Sequence, residues 1–401
     1  MKRFLLVLVI LVILGLLSFG GYKYYKYYQV KNAKIEVKLK DDLTIEFRDS
    51  KKVSDFIESI NGKIVNDYEI DSTKVGKQQV KFDFVNDDGI KVSYKYEVTI
   101  KDVTPPVAWI GKSYSVAVGS EPSFVDNILC GDDTDPAPMC EITGVYDLNK
   151  EGVYPVVFKA TDKSGNISEI EFNLNVYDPD NYSSSDYNYE PTVTYFSDVV
   201  RDYKNEHTKI GIDVSGWQDE IDFDKIKAAG VEFIIIRVGG TLGTNLDFFV
   251  DGQFKRNIEL ANEYGIPVGI YFYSYASSSK ETINEAKWVL KQIKGYKIDL
   301  PIAFDWEDFR DFNSYHISFY ELTKMAEDFL DVLKEEGYDG MIYGSKNYLE
   351  EIWLPYKYDT WLAHYTDKTS YKGDYKFWQM CDDGVIDGIN GSVDIDIMYV
   401  D

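Results

Sequence analysis

Cysteine and histidine are scarce, three residues of each in 401, and no spacing between them resembles a zinc site. Neither metal ion nor cofactor is expected. Positive charge is in deficit too: 43 Lys and Arg against 68 Asp and Glu leave a net charge of -25. Such a chain repels nucleic acid and anionic lipid heads at ordinary ionic strength, so its partner should be neutral or mixed in charge. What it has in abundance is apolar and aromatic side chains, 44% hydrophobic with 33 tyrosines, far above a disordered polyelectrolyte. Acidic, tyrosine-rich surfaces suit sugars, because rings stack on pyranose faces while carboxylates accept hydrogen bonds from hydroxyls.

Charge of either sign is missing from Phe4 to Gly21, directly after Lys2 and Arg3. A run of that length predicts a transmembrane signal-anchor, with residues 1–32 as cytoplasmic stub and span and the bulk of the chain extracellular. Cleavage after the small residues Ser18 and Gly20, giving a secreted protein, is the other reading. The cluster YKYYKYY at 22–28 fits the membrane interface. Outside the cell a disulfide survives, and Cys130 and Cys140 close a short loop, so those two are expected to be bridged. Cys381 is read as a packed free thiol.

A gapless offset of 76 residues aligns Asp71 with Asp147, Gly76 with Gly152, Val80 with Val156, Phe82 with Phe158, Gly89 with Gly165 and Asp102 with Asp178. Each copy has two alternating runs around a turn at NDDG or KSGN, which is a β-hairpin pattern. Two all-β sandwiches follow, at 33–102 and 103–178, with Pro105 and Pro106 stiffening the join. They resemble the immunoglobulin-like modules of bacterial surface proteins, which implies spacers or weak binders. The acidic cluster Asp132, Asp133, Asp135 could offer oxygen ligands to calcium but reads first as a solvated loop. Residues 179–208 have no period and read as linker.

From residue 209 the texture becomes short apolar strands, KIGIDVS, VEFIIIRV, IPVGIYFYS, LPIAFDWE, GMIYGS, DTWLAHY, KFWQM and VDIDIMY, mostly separated by amphipathic helical stretches. Eight strands alternating with helices predict a mainly parallel α/β barrel of the TIM type over 209–401. In such barrels the chemistry sits at the C-terminal strand ends, and there the sequence places Asp213, Asp305 and Glu307, with Asp394 in the last strand.

Asp305 and Glu307 are two apart, so strand alternation points both to one face. Crowding raises the pKa of one carboxyl while the other stays ionised, which is the division of labour in glycoside hydrolysis. Glu307 has the longer reach and is assigned general acid; Asp305 stabilises positive charge on the sugar ring, with Asp213 and Asp394 assisting. Phe304 and Trp306 flank them with apolar bulk. Tyr271, Tyr273, Trp361, Tyr365 and Trp378 are candidate sugar-stacking rings, and His316 and His364 are read as structural.

The blocks Asp213-x-Ser215-x-x-Gln218, GIYFYSY, Asp305-x-Glu307 and WQMCDDGVIDGINGSVDID together resemble the family-25 glycoside hydrolases, the Chalaropsis-type lysozymes. The resemblance covers nearly all of 209–401 and implies cleavage of β-1,4 bonds between N-acetylmuramic acid and N-acetylglucosamine in peptidoglycan. It implies Glu307 as catalytic acid, Asp213, Asp305 and Asp394 as the other active-site acids, and Gln218 at the substrate. Phe272 stands where many members carry His, and Asp396 where Asn is frequent. The resulting expectation is a membrane-tethered extracellular muramidase, suited to helping an envelope-spanning secretion or conjugation apparatus through the wall. The rival from another class is a non-catalytic wall-binding or adhesion protein, against which the presence of all four acids argues.

Overall fold

The computed structural model describes residues 2–180, 193–243 and 246–400, with side chains from residue 13 onward. The chain divides into two compact units, Met1–Val103 and Thr104–Asp401.

The first unit opens with a helix, Lys2–Lys31. The side chains of the apolar run up to residue 12 lie outside the described residues. Among the described residues no helix is long and apolar enough to cross a membrane, so the expected transmembrane segment is not found among them. The rest of the unit is a four-stranded sheet in the order Thr44–Glu46, Lys91–Lys101, Gly76–Asn86, Gly62–Ile64, with a two-stranded sheet of Val37–Leu39 and Ile57–Ile60. Its long hairpin places Val80, Phe82, Phe84, Val98 and Ile100 in one core, as period-two alternation requires.

The second unit begins with a β module built the same way. Its sheet runs Met139–Thr143, Gly152–Thr161, Ile167–Tyr177, Ser113–Ala117, and Val107–Ala108 pairs with Cys130–Gly131. In both copies the edge strand is parallel to the hairpin and the second sheet has only two short strands. The expected immunoglobulin-like sandwiches are corrected on that ground, since that fold packs two larger antiparallel sheets. The disulfide Cys130–Cys140 is formed, and Cys381 is a buried free thiol.

The eight apolar segments are the strands of one closed barrel: β1 Thr208–Val214, β2 Ile234–Leu242, β3 Val268–Tyr273, β4 Ile302–Asp305, β5 Gly340–Ser345, β6 Asp359–Ala363, β7 Phe377–Val385 and β8 Val393–Tyr399. β8 closes the ring by pairing with β1 and β7, antiparallel to both. Helices α1 Phe223–Ala229, α2 Phe254–Tyr264, α3 Ser279–Gln292, α4 Phe319–Glu335 and α5 Lys346–Glu351 make the first five crossovers. No helix lies between β6 and β7, and β7 turns directly into β8. The expected TIM-like α/β barrel is therefore corrected: strand–helix alternation stops after five rounds, and the last strand runs against its neighbours.

Alternation along each strand sorts the side chains. Ile234, Ile236, Ile302, Phe304, Leu362, Ile395 and Ile397 face outward to the helices, while Phe233, Ile235, Ala303, Met341, Trp361, Phe377 and Met398 fill the interior. Residues 193–208 are not all linker: the helix Phe196–Tyr203 buries Phe196 and Val199 in the barrel's outer layer. Residues 181–192 of the expected linker lie outside the described residues.

Candidate active site

Interior positions near the mouth are polar rather than apolar. β1 ends by presenting Asp213, β3 presents Tyr271 and Tyr273, and β4 ends on Asp305. Because β8 is antiparallel, it brings its N-terminal end to the same mouth, and Asp394 stands in register with Asp213. These residues line a cavity of about 260 Å³ with Ser215, Trp217, Gln218, Arg237, Glu307, Tyr343, Trp361, Tyr365, Gln379. Glu307 lies one residue beyond Trp306 and outside β4, so strand alternation does not place it; the loop does.

An adjoining cavity of about 290 Å³ is lined by Ser345, Lys346, Asn347 and His364 and shares Glu307, Tyr343 and Tyr365 with the first. Glu307 thus borders both cavities. A larger cavity, about 1060 Å³, lies among Tyr356, Tyr371, Tyr375 and Tyr399, but its acids Glu350, Asp359 and Asp374 are not buried.

Burial sets the electrostatics. It pushes the Glu307 carboxyl up to about 7. Asp305 is raised well above the usual carboxylate range by burial, then by the neighbouring charges of Glu307 and Asp213, against the lowering pull of Arg237. Asp213 is raised by burial and by Asp396. Burial and Asp213 push Asp394 up to about 9. So many buried acids cannot all ionise together at neutral pH.

The supporting hydrogen bonds fix this set. Gln379 Nε2 donates to Asp213 Oδ2 at 2.8 Å, and the hydroxyls of Tyr343 and Tyr365 donate to Gln379 Oε1 at 2.8 and 3.1 Å. Trp361 Nε1 donates to Asp396 Oδ1 at 2.7 Å. Arg237, beside a bulge between Arg237 and Gly239, is held at 2.7 Å by the buried Asp251. Gln218 accepts from Ser215 N at 2.9 Å and donates to Ser392 O at 3.2 Å.

Trp378 is the sequence candidate that does not reach the cavity. Its neighbours in β7, Phe377 and Gln379, face inward, so Trp378 faces outward, donates to His364 O and meets Tyr203 edge-on. Phe272 likewise alternates out of the site, packing on Trp288 and Phe329, and does not line the cavity. His364 is held by Thr369. Arg237, Tyr343, Gln379 and Trp217 were missed. A positive charge inside the apolar run VEFIIIRV was the available signal for Arg237, and a polar residue in the apolar strand KFWQM that for Gln379; Tyr343 carried none beyond its strand parity.

The model of the Glycosyl hydrolases family 25 matches residues 212–389. The uncharacterized protein YegX of Escherichia coli O157:H7 is 29% identical over 216 residues, 53% of this chain and 75% of that protein. The autolytic lysozyme of Clostridium acetobutylicum is 28% identical over 189 residues, 46% of this chain and 54% of that protein. Among solved structures, the modular autolysin LytC from Streptococcus pneumoniae, in complex with a synthetic peptidoglycan ligand, has a TM-score of 0.44 and 26% identity. It covers 61% of this chain and 56% of its own. The chain thus spans little more than half the length of those two lytic relatives. Residues 212–389 thus carry a Glycosyl hydrolases family 25 domain, and in that part the chain is similar to lytic relatives such as the autolytic lysozyme.

Proposed function

We propose that the chain hydrolyses β-1,4 bonds between N-acetylmuramic acid and N-acetylglucosamine in peptidoglycan, with Glu307 as general acid. The observation that carries this reading is the position of Glu307 at the join of two cavities, its carboxyl held protonated to about pH 7 by burial. As the bond from the anomeric carbon to the bridging oxygen breaks, Glu307 gives its proton to that oxygen. Asp305, on the adjacent strand end, faces the ring as positive charge grows there and is favoured in its ionised form by that charge. Glu307, now a carboxylate, takes a proton from the water that completes hydrolysis.

Asp213 and Asp394 orient the sugar's polar groups, and Tyr271, Tyr273, Trp361 and Tyr365 supply aromatic walls. The work takes place outside the cytoplasm, where the substrate is and where the bond between Cys130 and Cys140 persists.

The test is release of reducing ends from purified peptidoglycan by the full chain and by Glu307→Gln, with the products identified by mass. Fragments ending in reducing N-acetylmuramic acid, absent from the variant, are expected. Reducing N-acetylglucosamine ends would replace muramidase by glucosaminidase. No release from several wall types would favour a binding protein.

A further inference from the structure

We infer that the β module at residues 104–178 is a working part of the catalytic site, with Asn313 as a positioning residue for the loop that carries Glu307. This rests on the hydrolase reading above.

Glu307 has no sheet partners to hold it, because β4 ends at Asp305. Its place depends on the loop from Trp306 to His316, and the β module grips that loop. Asn313 spends its whole side-chain amide on the module's backbone: Oδ1 accepts from Cys130 N at 2.9 Å, and Nδ2 donates to Ile128 O at 2.8 Å and Asp126 O at 3.0 Å. One residue along, Phe312 lies against Gly131. A Cβ built on Gly131 would stand 2.4 Å from the Phe319 ring and 2.9 Å from the Phe312 ring, so glycine permits the backbone to touch both.

The module also ends the loop. Asp132 O and Asp133 O accept from Phe319 N and Tyr320 N, two donors at the start of α4 that have no partner within the helix. A second grip is aromatic. Trp109 stacks on Tyr348 with centroids 4.6 Å apart and donates to Glu351. Tyr348 stacks on Phe309, which meets Trp306 at 5.0 Å, the residue before Glu307. Leu129 completes the seam by joining the barrel's own core. A mere spacer would need none of these contacts.

Along this seam Trp306, Phe309 and Phe312 of the loop are buried, and burial is what raises the Glu307 carboxyl. Loosening the grip should therefore change both the aim of Glu307 and its acidity.

The experiment uses the full chain with Asn313→Ala, Trp109→Ala and the conservative Trp109→Phe, which keeps a ring on Tyr348. Turnover of soluble glycan chains is measured against pH, beside hydrogen exchange of the amides of residues 306–316. The expected result is a kcat lower by roughly ten- to a hundredfold in the two alanine variants, KM nearly unchanged, and an alkaline limb displaced to lower pH. Exchange of 306–316 should quicken while the β1 and β8 amides stay protected, and Trp109→Phe should recover most of the rate.

Unchanged kcat and exchange, or a raised KM with kcat intact, would overturn the proposal; the latter would make the module a substrate binder. If wild-type protein cuts no wall, the hydrolase reading fails separately, and the exchange measurement alone decides whether the module holds this loop.

Discussion

Asp213 and Asp394 stand directly opposite each other on β1 and β8, in register across an antiparallel pair. Facing residues on such a pair project to the same side, so two carboxyls are forced together at the barrel mouth, with Asp396 two residues deeper in β8 on the same face. Like charges this close in a buried setting keep protons that exposed carboxylates would lose. The barrel's last strand, by running backwards, concentrates acid where a regular parallel barrel would have offered one strand end.

The pH dependence of hydrolysis follows from Glu307. A general acid works only while protonated, and this one is held up to about 7 by burial. Activity should therefore fall as pH rises through about 7. A profile of kcat/KM from pH 4 to pH 9 on soluble glycan checks it, and a limb in the ordinary carboxylate range would remove Glu307 from the acid's role.

Stability should follow the same protons. Asp394 and Asp396 titrate at about 9 and about 8 in the folded chain, against about 3.9 when unfolded. Between those values the folded state holds more protons than the unfolded one, so its stability falls as pH rises through that window. The barrel should melt at a higher temperature at pH 5 than at pH 9. Scanning calorimetry decides, and a barrel more stable at pH 9 would contradict these shifts.

Much of this site is legible in the sequence. Asp213, Asp305 and Asp394 lie in or at the ends of apolar strands, where period-two alternation separates an inward polar residue from outward Ile or Phe neighbours. Trp378 was misplaced because aromatic content alone does not tell the inward parity from the outward one; its neighbour Gln379, polar in an apolar strand, was the better clue. The direction of β8 was not legible, since VDIDIMY reads the same either way and only pairing with β1 and β7 sets it. Nor was the grip of the β module on the Glu307 loop, because a hydrogen bond between residues as distant in sequence as Asn313 and Cys130 leaves no local pattern.

Asp396 invites a substitution. Its Oδ1 accepts from Trp361, while its buried Oδ2 meets no donor and faces Asp213. That oxygen is satisfied only by a proton shared with Asp213, whichever of the two carboxyls carries it. Asp396→Asn keeps the acceptor for Trp361 and supplies a permanent donor toward Asp213. At pH 8 it should raise unfolding free energy by roughly 1–3 kcal/mol, the cost of one buried polar atom without a partner. At pH 5, where the carboxyl is already protonated, it should do little. Urea melts at both pH values measure this; equal effects at the two would show that Asp396 is not the group holding the proton.

The disulfide makes the last case. Cys130 pairs through its backbone with Ala108 in the short two-stranded sheet, and Cys140 pairs with Ala160 at the edge of the four-stranded one. The bond therefore ties the two sheets of the module across its core, closing a loop with a sequence separation of 10. Removing it frees that loop in the unfolded chain, a loss of roughly 2–3 kcal/mol for a loop this short. The double variant Cys130→Ser, Cys140→Ser should lower the module's urea midpoint, and wild-type protein in reductant should match it. A midpoint indifferent to reductant would mean that packing of the two sheets, through Phe158 and Leu174, holds the module without the bond.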